Sequence, residues 1–240
     1  MSDDPWKYET AEDLDASIVE RLRRFPRQPD MTVYGLRSAA ALALRAWMKV
    51  FHRFEVLGRE NLPKTGSYIL VANHASHLDT VSILSALPLG TIHRAFPAAA
   101  KDFFFEQMHR TAIASIVVNA LPFDREANIR QSLSLCTALL ENSGNVLLLF
   151  PEGTRSKTGK LGEFKPGIGM LLAGSAHPVI PCYVDGAFKA LPKGTHIPRP
   201  RKIQLRIGTP RSFGHLKRGK QAAIEICQDL RAAVSELANE

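Results

Sequence analysis

No C-x-x-C pair occurs in this 240-residue chain, and its three cysteines, Cys136, Cys182 and Cys227, stand far apart. That excludes zinc fingers, thioredoxin-like redox chemistry and a disulfide scaffold, and it implies a reducing, cytosolic compartment. No apolar run approaches the roughly 18 residues that span a bilayer; the nearest, Ala39 to Met48, is broken by Arg45. The start, Met1-Ser-Asp-Asp-Pro-Trp6, is acidic where a secretory signal would be basic. Aromatic residues make up only 8% of the chain, and between Gly186 and Lys220 there is no Asp or Glu at all.

What is present is an ordinary globular composition, 45% apolar and 22% charged, enough to bury a core and to exclude intrinsic disorder. Net charge is +8, and the acid-free stretch 186–220 carries ten of the Lys and Arg residues. Such a balance attracts nucleic acid, an anionic membrane surface or phosphate-bearing substrates, or it forms a solvated rim with no specific partner. Few aromatics and no nucleic-acid motif argue against the first.

Residues 11–25 place acids early and arginines late, as a helix dipole favours. A second helix is expected over about Val33–Phe54. Its charges, Arg37, Arg45, Lys49 and Arg53, are spaced by multiples of four, opposite Leu36, Leu44, Trp47, Met48 and Phe51. That pattern suits a basic amphipathic helix at a membrane interface, or a helix packed on the main domain. Residues 1–55 therefore read as a helical, membrane-binding extension and 56–240 as the main domain.

Strands are expected at 67–72, 113–118, 146–150, 178–184 and 203–207, with helices at 78–87, 101–108, 127–140 and 222–237. This alternation predicts an α/β fold, a central mixed sheet flanked by helices, with sites beyond the carboxyl ends of strands.

Two motifs follow strands directly. In Val71-Ala-Asn-His-Ala-Ser-His-Leu-Asp-Thr80, a turn entering a helix can fold Asp79 back onto His74. The carboxylate then fixes the imidazole tautomer and leaves the other nitrogen as a general base. No Gly-x-Ser-x-Gly elbow supplies a nucleophile, so the pair would activate a hydroxyl of the substrate. Capping and surface polarity remain the plainer explanation of one His and one Asp near a helix start. His74, His77 and Asp79 also invite a metal, but neither His-x-His-x-Asp-His nor His-Glu-x-x-His is present, so no metal ligand is expected. In Leu147-Leu-Leu-Phe-Pro-Glu-Gly-Thr-Arg-Ser156, Pro151 and Gly153 force a turn between Glu152 and Arg155, able to hold a phosphorylated ligand, with Lys165 as a second cation. The stretch Gly153–Lys160 fails as a phosphate-binding loop because Leu161 replaces the required Ser or Thr.

In this order, Asn73-His-Ala-Ser-His-Leu-Asp79, Leu121-Pro-Phe-Asp-Arg125, Phe150-Pro-Glu-Gly-Thr-Arg-Ser156 and Val179-Ile-Pro181 resemble the four motifs of the lysophosphatidate (1-acylglycerol-3-phosphate) acyltransferase family, over about Phe54 to Phe213. The second motif departs from the family pattern: Asp124 and Arg125 align, but the aromatic is displaced by one. The resemblance implies transfer of an acyl group from acyl-CoA or acyl carrier protein to the free hydroxyl of lysophosphatidate, or alternatively of glycerol-3-phosphate or another lysolipid. It implies His74 and Asp79 as the catalytic pair. Arg125, Arg155 and Lys165 would hold the acceptor phosphate, and Glu152, Gly153 and Thr154 would orient the reacting groups. It implies no cofactor, a lysophospholipid and an acyl thioester as partners, no nucleic acid, and a cytoplasmic enzyme attached peripherally to an anionic membrane.

Overall fold

The computed structural model describes residues 31–100, 118–123 and 129–239. The expected helices at 11–25 and 101–108 lie outside the described residues. Of the expected strand 113–118 only Val118 is described, and it sits in a bend.

Helix α1 (Met31–Phe51) leads into strand β1 (Glu55–Leu57). Then come β2 (Tyr68–Ala72), α2 (His77–Ala86), β3 (Ala95–Ala100), β4 (Leu121–Phe123), α3 (Ile129–Glu141) and β5 (Val146–Leu149). The chain continues through α4 (Pro166–Leu172), β6 (Val179–Asp185), the short α5 (Ala187–Ala190), β7 (Gln204–Ile207) and α6 (Lys220–Asn239). The seven strands form one mixed sheet in the order β1-β7-β6-β2-β5-β3-β4, parallel throughout except for β6 against β7.

Strand β2 lies at the centre, wholly buried, because its side chains alternate between two cores. Tyr68, Leu70 and Ala72 pack with Leu148, Ile180, Met48 of α1 and Leu78 and Ile83 of α2. Ile69 and Val71 face the other way, onto Leu147 and Leu149 and the apolar sides of α3, α4 and α6. Both faces covered by helices is what a mostly parallel sheet needs, and it explains why β2 and β5 read as unbroken apolar runs. In α6 the buried positions Ala223, Ile226, Cys227, Leu230, Ala233, Val234 and Leu237 recur at helical spacing. Helix α4 meets α6 closely at Gly169, where a Cβ would come within 2.1 Å of the Ala223 carbonyl oxygen. Gly169 thus serves helix packing.

Three elements escape the sequence pattern. Strand β3, Ala95-Phe-Pro-Ala-Ala-Ala100, is built from residues of low strand propensity and is held by pairing with β5 and β4. Strands β1 and β4 are three residues each, too short to show an alternation.

Helix α1 also overturns an expectation. Arg37 and Arg45 do not share an outward basic face with Lys49 and Arg53. Arg37 is buried, and Arg45 donates to the Leu87 carbonyl at the end of α2. The exposed side instead carries Met31, Leu36, Leu42 and Val50, with only Lys49 and Arg53 as exposed cations among its expected charges. The inversion has a local cause. Tyr34, Arg37 and Ser38 belong to a polar cluster around His93, in which Tyr34 stacks on the imidazole at 4.4 Å and Ser38 Oγ lies 3.2 Å from its Nε2.

Candidate active site

Strands β2 and β5 are adjacent and parallel, with Val71 level with Leu149. Their carboxyl ends therefore open at the same height, and the loops that follow are forced together. One loop carries Asn73 to Ser76 and the other Phe150 to Ser156. Asn73 anchors the first loop from below by exchanging two hydrogen bonds with the Val184 backbone of β6: Nδ2 donates to O at 3.1 Å, and Val184 N donates to Oδ1 at 2.8 Å.

The helix start is made by Ser76 as N-cap and Asp79 three residues on. Ser76 Oγ accepts from Leu78 N, while Asp79 Oδ2 accepts from Ser76 N at 2.7 Å. The same oxygen accepts from Ala75 N at 2.7 Å and lies 3.0 Å from His74 Nδ1. An oxygen already receiving two N–H groups is an acceptor, so Nδ1 carries the ring proton and Nε2 is the nitrogen left to act. Asp79 is fully buried, His74 is 15% exposed, and Asp79 Oδ1 is buried without a hydrogen-bond partner among the described residues. The capping residue and the residue that orients the imidazole are one carboxylate.

The second loop grips the first through its backbone. His74 N donates to Glu152 Oε1 at 2.7 Å, and Ser156 N donates to the His74 carbonyl at 2.7 Å. Phe150 stacks on the imidazole, with centroids 4.0 Å apart and planes 17° from parallel. Glu152 is buried, and its other oxygen accepts from Gly162 N at 2.9 Å. Burial pushes its carboxyl above the ordinary range, against those two backbone hydrogen bonds.

The expected site residues are not all placed alike. His74, Asp79, Glu152, Gly153, Thr154 and Arg155 come together, and Lys165 N donates to the Pro151 carbonyl while its side chain lies against Gly153. Arg155 lies within electrostatic reach of Asp79 and of His77, and desolvation lowers its pKa. Arg125 lies outside the described residues. Two expectations change. Gly153, at φ +73°, spends its single N–H on the Phe150 carbonyl at 3.0 Å, so it is not an open donor. Both Glu152 oxygens hold backbone amides, so this carboxylate shapes the loops. Pro181 lies within β6, opposite Val71, and not in the loops.

His77 stands in the same neighbourhood. Desolvation first, then Arg155, His74 and His196, push its pKa down to about 4. Among the described residues no three His, Cys, Asp or Glu side chains converge as a metal cluster.

The family described as Acyltransferase matches residues 53–185 of the chain. A chloroplastic 1-acyl-sn-glycerol-3-phosphate acyltransferase of Brassica napus is 32% identical over 146 residues, 60% of this chain and 41% of its own. A protein of the same name from Bacillus subtilis is 25% identical, covering 82% of this chain and 92% of its own. Among solved structures, the 1-acyl-sn-glycerophosphate acyltransferase PlsC of Thermotoga maritima superimposes with a TM-score of 0.66 at 25% identity, over 92% of this chain and 88% of that one. The chain spans about half the length of the plant relatives it matches.

The depressed His77 pKa makes a stability prediction. Between about pH 4 and 6.5 the unfolded imidazole holds a proton that the folded one does not. Stability therefore rises with pH across that window and falls on acidification. Denaturant midpoints measured from pH 7 down to 4.5 should fall less steeply in His77→Asn than in the parent protein; parallel curves would show that His77 does not contribute.

Proposed function

Because the chain belongs to the acyltransferase family, we propose that it transfers a fatty acyl group from an acyl thioester to the free hydroxyl of a lysophosphatidate-type acceptor. The relatives named for that acceptor and the PlsC-like fold support the reading. The observation that carries it is the His74–Asp79 pair, 3.0 Å apart, at the mouth of the sheet.

His74 Nε2 takes the proton of the acceptor hydroxyl, and the oxygen attacks the thioester carbonyl. Asp79 stabilises the imidazolium that forms. As the tetrahedral intermediate collapses, the new ester C–O bond is kept and the C–S bond breaks. The thiolate leaves with the proton that His74 had taken, so no cofactor enters the step. General-base catalysis of this kind is worth about 10² to 10⁴ in rate, and alignment of two bound substrates supplies much of the remainder. Arg155, Lys165 and Arg125 neutralise the acceptor phosphate. Glu152 acts through the His74 amide, setting where the imidazole stands, and Thr154 lines the same turn.

A lysolipid acceptor resides in a bilayer, which the enzyme reaches from its surface through the N-terminal segment up to residue 55. Among the described residues no helix is long and apolar enough to cross a membrane. The exposed side of α1, with Met31 82%, Leu36 53%, Leu42 53% and Val50 81% accessible beside Lys49 and Arg53, suits shallow insertion next to anionic headgroups.

Purified protein with oleoyl-CoA and lysophosphatidate should release free thiol in an acceptor-dependent manner. His74→Gln should lower kcat by about 10² to 10⁴ with an unchanged unfolding midpoint, and Asp79→Asn should lower kcat with little effect on KM. Acceptor-dependent turnover surviving in His74→Gln would refute the mechanism. Co-sedimentation with anionic vesicles should weaken at least about tenfold when Leu36, Leu42 and Val50 are all replaced by Glu, given the apolar burial lost; undiminished sedimentation would remove α1 from the membrane contact.

A further inference from the structure

We propose that Lys193 is a phosphate-binding residue of this site, a second wall facing the Pro151–Arg155 turn; the proposal rests on the acyl-transfer reading above. Lys193 lies outside the residues matched by the family, 53–185. It belongs to the acid-free stretch 186–220, whose charge the reaction as described leaves unused.

The lysine is presented by a built turn. In Pro192-Lys193-Gly194-Thr195, both Thr195 N and Thr195 Oγ1 donate to the Pro192 carbonyl, at 3.1 and 2.8 Å. Gly194 takes φ +93°, as the third position of a type II turn requires. The turn is pinned on both sides. Ser76 Oγ, the N-cap of α2, donates to the Leu191 carbonyl at 2.8 Å, and Arg199 N donates to the Ala190 carbonyl at 2.8 Å. Ser76 thus ties the Lys193 turn to the residue beside Asp79's helix start, and the spacing between lysine and imidazole is set by the fold.

From this turn Lys193 Nζ reaches across to Thr154 Oγ1, 3.2 Å away and 39 residues earlier. A neutral hydroxyl orients the ammonium without neutralising it. Arg155, next in sequence to Thr154, and His196 both act electrostatically on His77. The nearby carboxylates, Asp79 and Glu152, are buried and turned to backbone amides and His74. An ammonium held on the hydroxyl of Thr154, the residue next to Arg155, fits a phosphomonoester, which takes Lys as a point charge and Arg through paired N–H groups. Two substrates of the reaction can bring one: the acceptor headgroup, and the 3′-phosphate of coenzyme A.

The test compares Lys193→Met with Lys193→Arg. Lys193→Met should raise KM for one phosphate-bearing substrate about tenfold, the size of one charge-assisted hydrogen bond, with kcat within about twofold. Lys193→Arg should restore most of it. Calorimetry separates the sources. Glycerol 3-phosphate binding weakened by Lys193→Met assigns the headgroup. Coenzyme A binding weakened while 3′-dephospho-coenzyme A is unaffected assigns the donor. Unchanged binding of all three, or equal weakening of coenzyme A and its dephospho form with glycerol 3-phosphate unaffected, overturns the proposal. Should the parent protein transfer no acyl group, the function reading fails, and inorganic phosphate binding to parent and Lys193→Met still decides this one.

Discussion

Three N–H groups converge on one carboxylate oxygen, and the rest of the site follows from that. Asp79 Oδ2 receives the backbone amides of Ala75 and Ser76 and the Nδ1 proton of His74. Ser76 N is one of the orphan donors that any helix N-terminus must satisfy, and Ala75 N belongs to the turn that leads into it. The third costs little more, because the imidazole is already held in place by the turn. A helix cap, whose ordinary worth is about 1 kcal/mol, thereby fixes a tautomer as well. The economy has a condition: the turn must be held from outside, since a hydrogen bond to a mobile ring would not orient it.

That hold comes from the neighbouring strand. Both backbone groups of His74 are engaged by the loop after β5, its N–H by Glu152 and its carbonyl by Ser156 N. Phe150 covers one face of the ring. Parallel pairing of β2 with β5 in a register that ends both strands together makes these contacts available, so the sheet topology reaches directly to the orientation of one nitrogen. Burial of Asp79, with Oδ1 unpartnered among the described residues, leaves its negative charge poorly solvated, a setting that favours a developing imidazolium beside it.

Much of this was legible in the residues. The apolar runs of β2 and β5 and the heptad-like spacing of α6 mark the elements, and His74 and Asp79 follow from a turn that leaves a buried strand and enters a helix. Less legible was what depends on partners distant in sequence. Strand β3 has little intrinsic preference for its conformation and exists because two strands flank it. The arginines of α1 turn inward because hydrogen-bonding partners near His93 and the end of α2 lie there, and periodicity alone records spacing but not which side faces the sheet. Gly153 and Glu152 read as ligand-facing because a Pro-Glu-Gly turn looks open in isolation; in the fold, the Gly153 N–H closes its own turn onto Phe150 and Glu152 accepts from His74 N of the other loop. Lys193 gave no motif at all, since its position depends on a turn tied by Ser76 over more than a hundred residues.

The imidazole of His74 is the place to look. With ring-nitrogen labelling, proton–nitrogen correlation spectra at neutral pH report which nitrogen of His74 bears the proton. A proton on Nδ1 and a bare Nε2, with that preference weakened in Asp79→Ala, is the expected result. A proton on Nε2 in the parent protein would contradict it, because the nitrogen meant to accept the hydroxyl proton would already be filled.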